Sequence, residues 1–154
     1  MQCSMVFTTT LLTRYDPSSP PPTLSDTCDR GQFLFGATCA EPGSCKPCGQ
    51  YKYQDTESHR EPDCKDQSTC NSGHYLSKAT EFAAGQCKAC RKKVTYQDEN
   101  VHRLGSCKNQ LRCGQGRFLF GASASAKGSC KNCPTGTFLE ATNHLENSCQ
   151  NDTM

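Results

Sequence analysis

The sequence predicts a small disulfide-rich fold: an elongated array of three cysteine-rich repeats with short irregular β-hairpins and little helix. Three observations carry this expectation. Cysteine makes up 14 of 154 residues, roughly 9%, the density of a disulfide scaffold. Twelve of the cysteines fall into sets that open at Cys28, Cys70 and Cys113, 42 and then 43 residues apart. Leu (10), Val (3), Ile (0) and Phe (7) supply only 20 of the 154 residues and there is no Trp, whereas one compact domain of this length has to bury roughly 70% of its unfolded surface.

The formal net charge is only +2, so low hydrophobicity is not compounded by the self-repulsion that keeps chains disordered. The same balance gives no reason to expect nucleic acid as a partner. No apolar stretch approaches the ~18 residues of a membrane span, so none is expected in this chain.

In chain order, residues 1–27 read as a flexible Pro/Ser/Thr-rich lead-in, with DPSSPPP at 16–22 extended. The run MVFTTTLL at 5–12 has no preceding positive charge and no small-residue cleavage site, which makes a poor signal peptide. A chain missing its true start, or a fragment of a longer ectodomain, is therefore expected. Repeat 1 covers 28–69, repeat 2 covers 70–112, repeat 3 covers 113–149, and 150–154 is a tail. Asn151-Asp152-Thr153 in that tail is a glycosylation pattern.

The repeats share a cysteine ruler. Repeat 1 has Cys28, Cys45, Cys48 and Cys64; repeat 2 has Cys70, Cys87, Cys90 and Cys107; repeat 3 has Cys113, Cys130, Cys133 and Cys149. A C-x2-C step sits at the middle of each. Gly31, Gly73 and Gly116 follow the opening cysteines, and Gly43, Gly85 and Gly128 stand two residues before the next. Both sets are read as turn positions needing positive φ. Phe33, Tyr75 and Phe118, each followed by a leucine (Leu34, Leu76, Leu119), and then Tyr53, Tyr96 and Phe138, recur at fixed offsets; each aromatic is expected to cover a disulfide. The segment ATEFAAG at 79–85 is the one place where a helical turn is expected.

This pattern resembles the cysteine-rich repeats of the tumour necrosis factor receptor superfamily, over residues 28–149. It is also similar to the cysteine-rich repeats of ephrin-receptor-like proteins. The commonest receptor repeat carries six cysteines and a second, crossing bridge; here that extra pair is absent. The resemblance implies two small modules per repeat, each closed by one disulfide between successive cysteines. Spacing arithmetic favours the same pairing independently, because it gives six loops of nearly equal size, each worth roughly 3 kcal/mol in the chain-entropy account. Crossed pairing, Cys45–Cys64 with Cys48–Cys70, is the rival, and it leaves Cys28 and Cys133 without partners. Cys3 and Cys39 lie outside the ruler; they pair with each other, or Cys3 is free or intermolecular.

Two chemical alternatives use the same residues. Cys45, Cys48, Cys64 and Cys70, and then Cys87, Cys90, Cys107 and Cys113, have the composition of structural zinc sites, which would make the chain an intracellular zinc-binding adaptor. Lys46, Lys88 and Lys131 stand inside the C-x2-C steps, as in a thiol–disulfide oxidoreductase; no strand–helix alternation supports that reading. The periodic His59, His102 and His144 are expected to pack on their own loops. No paired carboxylates, Ser–His–Asp set or phosphate-cradling loop can be assembled, so no catalytic residue, metal or cofactor is expected.

Charge is unevenly spread. Residues 87–113 hold seven basic side chains (Lys88, Arg91, Lys92, Lys93, Arg103, Lys108 and Arg112) against Asp98 and Glu99, a net +5. The expected function is a non-catalytic, extracellular or secretory-pathway module of receptor-ectodomain type, a spacer or a binder of a protein ligand. Arg91, Lys92 and Lys93, with Tyr96 as aromatic anchor, are the expected contact for an acidic protein or a sulfated glycan.

Overall fold

A computed structural model describes residues 27–38 and 41–151. All of the lead-in except Thr27, and the two cysteines Cys3 and Cys39, lie outside the described residues. Among the described residues there is no helix. The regular structure is six separate two-stranded antiparallel hairpins, two per repeat.

In repeat 1, β1 (Gln32–Phe35) pairs with β2 (Ser44–Pro47), and β3 (Lys52–Tyr53) with β4 (Lys65–Asp66). Repeat 2 has β5 (His74–Ser77) with β6 (Gln86–Ala89), and β7 (Thr95–Tyr96) with β8 (Lys108–Asn109). Repeat 3 has β9 (Arg117–Phe120) with β10 (Ser129–Asn132), and β11 (Thr137–Phe138) with β12 (Gln150–Asn151). Gln150 and Asn151, expected in the tail, are thus the closing strand of the last hairpin.

Each hairpin is locked by one disulfide, in sequence order: Cys28–Cys45, Cys48–Cys64, Cys70–Cys87, Cys90–Cys107, Cys113–Cys130 and Cys133–Cys149. Their Cα–Cα distances run from 5.5 to 5.9 Å, inside the range a disulfide spans without moving the backbone. Among the described residues half of the buried apolar side chains are half-cystines: Cys28, Cys64, Cys70, Cys90 and Cys113 join Leu34, Leu76, Tyr96, Leu119 and Leu139. Sulfur fills the interior that apolar side chains fill in an ordinary domain.

The register shows which repeat residues do the packing. Leu34, Leu76 and Leu119 lie directly across from Cys45, Cys87 and Cys130, and all three leucines are buried. The aromatics one residue earlier face Lys46, Lys88 and Lys131 instead. Leucine, not Phe33, Tyr75 or Phe118, is therefore the innermost side chain of each first hairpin, as alternation along a strand demands.

The two glycine series have different causes. Gly31, Gly73 and Gly116 adopt φ of 78°, 78° and 70°, the left-handed region that turns require. Gly43, Gly85 and Gly128 do not. A Cβ on Gly85 would lie 2.7 Å from the Ala79 Cβ and 2.8 Å from Leu76 Cδ1, and Gly43 and Gly128 are crowded by Leu34 and Leu119 in the same way. These glycines let the backbone close onto the buried leucine.

The helical turn expected at 79–85 is instead a tight hairpin tip. Thr80 N–H donates to the Ala83 carbonyl at 3.2 Å and Phe82 N–H to Thr80 Oγ1 at 3.2 Å. A threonine hydroxyl offering the backbone a local acceptor competes with helix formation.

The second module of each repeat folds back onto the first through histidine. His59, His102 and His144 are buried and make reciprocal backbone bonds with the opening cysteines Cys28, Cys70 and Cys113, at 2.7–3.0 Å. Each ring Nδ1 accepts the backbone N–H two residues on, at Glu61, Leu104 and Glu146, each 3.1 Å away. Nε2 of His59 and His144 then faces a carbonyl of the first module, Asp29 or Gly114. The residue before each histidine is left-handed: Ser58 at φ 49°, Val101 at 53° and Asn143 at 55°.

Repeats join through glutamine. Gln67 Nε2 donates to the Thr80 and Ala83 carbonyls at 2.8 and 2.9 Å, and its Oε1 accepts from Gly85 N–H at 2.7 Å. Gln110 repeats all three bonds one unit later, to Ser123, Ala126 and Gly128. Gln54 and Gln97 add backbone bonds to the carbonyls of Glu81 and Ala124 in the following repeat. Among the described residues these repeat-to-repeat bonds run between neighbours only, the arrangement of a linear array.

Three outcomes are expected. Gly85→Ala should destabilise repeat 2 by about 1–3 kcal/mol, the cost of overpacking, seen as faster amide exchange at Leu76. Gln110→Glu removes both donors of the second seam and should cost about 1–3 kcal/mol, read from exchange at the Gly128 N–H. Val101 is β-branched and 71% exposed, so burial returns nothing for its left-handed backbone; Val101→Asn should stabilise by about 1 kcal/mol in chemical denaturation.

Candidate functional site

Arg91, Lys92 and Lys93 follow Cys90 directly, so the Cys90–Cys107 disulfide anchors one end of the run. Behind them the chain turns sharply. Val94 N–H donates to the Arg91 carbonyl at 3.0 Å and Thr95 N–H to the same oxygen at 2.8 Å. Thr95 Oγ1 accepts from Arg91 N–H at 2.9 Å. Lys93 takes the left-handed position of the turn, φ 64°, where repeat 1 has Tyr51 at 63° and repeat 3 has Gly136 at 80°. All three cations are exposed.

Tyr96 does not join them. It is 7% exposed, paired across the hairpin with Lys108, and cannot serve as a surface anchor. In a two-residue strand one side chain faces in and the other out, and Tyr96 is the inner one.

Of the other four cations of the basic stretch, Lys88 is exposed and makes no ion pair among the described residues, and three have partners. Lys108 Nζ holds Asp98 at 2.8 Å and Glu99 at 2.9 Å. Hydrogen bonding to Asp98 and then Glu99 keeps the Lys108 ammonium well above its ordinary pKa, and the same bond keeps the Asp98 carboxyl below its own. Arg103 Nε donates to the Gln67 carbonyl and Arg112 Nη1 to the Asn143 carbonyl. In repeat 1, Lys52 pairs with Asp63 at 3.0 Å and Lys65 with Asp55. Among the described residues no ion pair involves Arg91, Lys92 or Lys93. The cations of this stretch that make neither an ion pair nor a side-chain hydrogen bond among the described residues are Lys88 in β6 and the three of the Arg91–Lys93 turn.

Sequence reading missed a second surface feature. Phe35 and Phe120 are about half exposed, and Lys46 and Lys131 lie over their rings at 3.4 and 3.6 Å from the centroids. Phe33 and Phe118 meet the same rings edge-on. The signal was present in QFLFGA and RFLFGA, which repeat 2 breaks with HYLSKA.

The C-x2-C steps hold no disulfide of their own; each of their cysteines belongs to a different bond. A dithiol oxidoreductase needs that pair closed on itself, and a zinc site needs the same sulfurs as thiolates. Among the described residues no three His, Cys, Asp or Glu side chains are grouped to hold a metal ion.

No protein-family model matches the chain and no curated protein matches it. Among solved structures, the chain is similar to one in the mouse RANKL–OPG complex, with a TM-score of 0.35 and 20% identity over 80% of this chain and 88% of that one. It is also similar to one in the human RANKL/OPG complex, with a TM-score of 0.34 and 21% identity over 82% of this chain and 74% of that one.

Proposed function

We propose that the chain is a non-catalytic extracellular binding or spacer segment of receptor-ectodomain type, engaging a protein along the side of its rod. Six disulfides support an oxidising compartment, since bonds of this density form and persist outside the cell or in the secretory lumen. The observation that carries binding is the Arg91–Lys93 turn: three cations with no ion pair, held by a disulfide and three hydrogen bonds. A turn already ordered loses little entropy when a partner contacts it, and an exposed positive edge steers an acidic protein or a sulfated glycan toward it.

Two measurements test this reading. Changing Arg91, Lys92 and Lys93 together to Ser should weaken retention on heparin resin or on an acidic protein surface and flatten its salt dependence, with melting unchanged; unaltered retention would place the contact elsewhere. Intact mass after alkylation without reductant should show six or seven disulfides. Bound zinc and modifiable array thiols would instead favour the intracellular adaptor.

A further inference from the structure

The joint between repeats 1 and 2 holds a groove of about 640 Å³. The turn after Cys48, with Tyr51 and Lys52, lines it from repeat 1, and Lys78 to Glu81, Leu76 and Arg103 line it from repeat 2. The feature that asks for a ligand is Arg103. Its side chain is half-buried. Nε donates to the Gln67 carbonyl at 2.8 Å, and the guanidinium carbon lies 5.8 Å from the centroid of the Tyr51 ring. Two contacts fix its orientation and leave the far end of the fork, Nη1 and Nη2, without a carboxylate among the described residues.

Partial burial of a guanidinium costs desolvation that a counter-charge normally offsets. Among the described residues Arg103 makes no ion pair. Lys78 makes no ion pair, and Lys52 is already held by Asp63. Glu81 is the one acid of the lining; among the described residues it makes no ion pair, and its carbonyl accepts from Gln54.

We propose that this groove seats an acidic side chain of a protein partner. The carboxylate meets the terminal nitrogens of Arg103 end-on, and a neighbouring apolar side chain of the partner covers the Tyr51 ring, which is 46% exposed. A planar two-pronged donor matches a carboxylate in shape as well as charge. Pro47 and Ala79 in the lining favour a protein side chain over a sulfated glycan, which would be drawn to the denser cations at Arg91–Lys93. The inference rests on reading the chain as a protein-binding module, but it concerns a different joint from the basic turn, so the two fail separately.

The test uses the disulfide-intact, 15N-labelled chain and follows the Arg103 Nε–H and the Tyr51, Lys78 and Thr80 amides by NMR. Three probes are titrated to millimolar concentration: a blocked Gly-Phe-Glu-Phe-Gly peptide, its Gln counterpart, and a heparin hexasaccharide. The Glu peptide should move these resonances, and the Gln peptide should bind roughly tenfold more weakly. Arg103→Lys keeps the charge but loses the fork, and should weaken the Glu peptide roughly tenfold with the rest of the spectrum unchanged. Equal response to the Glu and Gln peptides, response to the hexasaccharide alone, or no response at Arg103 would each overturn the proposal; the first comparison needs no variant, so it holds even if Arg103→Lys misfolds.

Discussion

Local disulfide closure is the constraint on which the rest of this molecule depends. Among the described residues every bond joins cysteines 16 or 17 residues apart, so each closes its own loop and borrows nothing from a distant part of the chain. Loops of this size have lost roughly 3 kcal/mol of unfolded-state freedom each. An isolated hairpin of two or four paired residues per strand is marginally stable at best in water; with a covalent tie across it, a single buried leucine is enough to define an inside of each four-residue hairpin. The crowded glycines follow from that leucine, since they let the second strand lie against it.

Because the bonds are local, something else has to hold successive units in line, and here it is polar. Gln67 and Gln110 each satisfy two carbonyls and one N–H of the next repeat. Such a seam is directional and needs little apolar area, which suits a chain with so few aliphatic side chains. It also leaves the flanks of the joints uncovered. The Arg103 groove opens at one joint, and the Arg91–Lys93 turn follows the C-x2-C step of the middle repeat. Surfaces available to a partner are thus a consequence of economy in the core.

The cysteine ruler was legible because spacing is a direct count, and near-equal loops distinguish sequential from crossed pairing. The periodic histidines were legible as one repeated contact, but only half of it is local: besides the bond to the N–H two residues on, each pairs with the opening cysteine of the other module. The glutamines were not. CKDQ and CKNQ precede the next opening cysteine at the same offset in repeats 1 and 2, but a polar residue in a loop carries no pattern that separates a seam from a solvated surface. Tyr96 misled for a related reason: two-residue strands are too short for alternation to show which side chain faces in. Net charge misled by summation, because it does not show that Lys108 is held between two acids or that Arg103 and Arg112 are oriented by backbone carbonyls. Which cations are engaged and which are free is decided by the fold and not by their number.

The claim that covalent closure replaces a hydrophobic core is tested most directly by the amide correlation spectrum of the chain before and after full reduction in native buffer. The account predicts that the dispersed cross-peaks of all three repeats collapse to the narrow range of an unfolded chain without denaturant. A reduced, thiol-alkylated chain that kept its dispersion would contradict it.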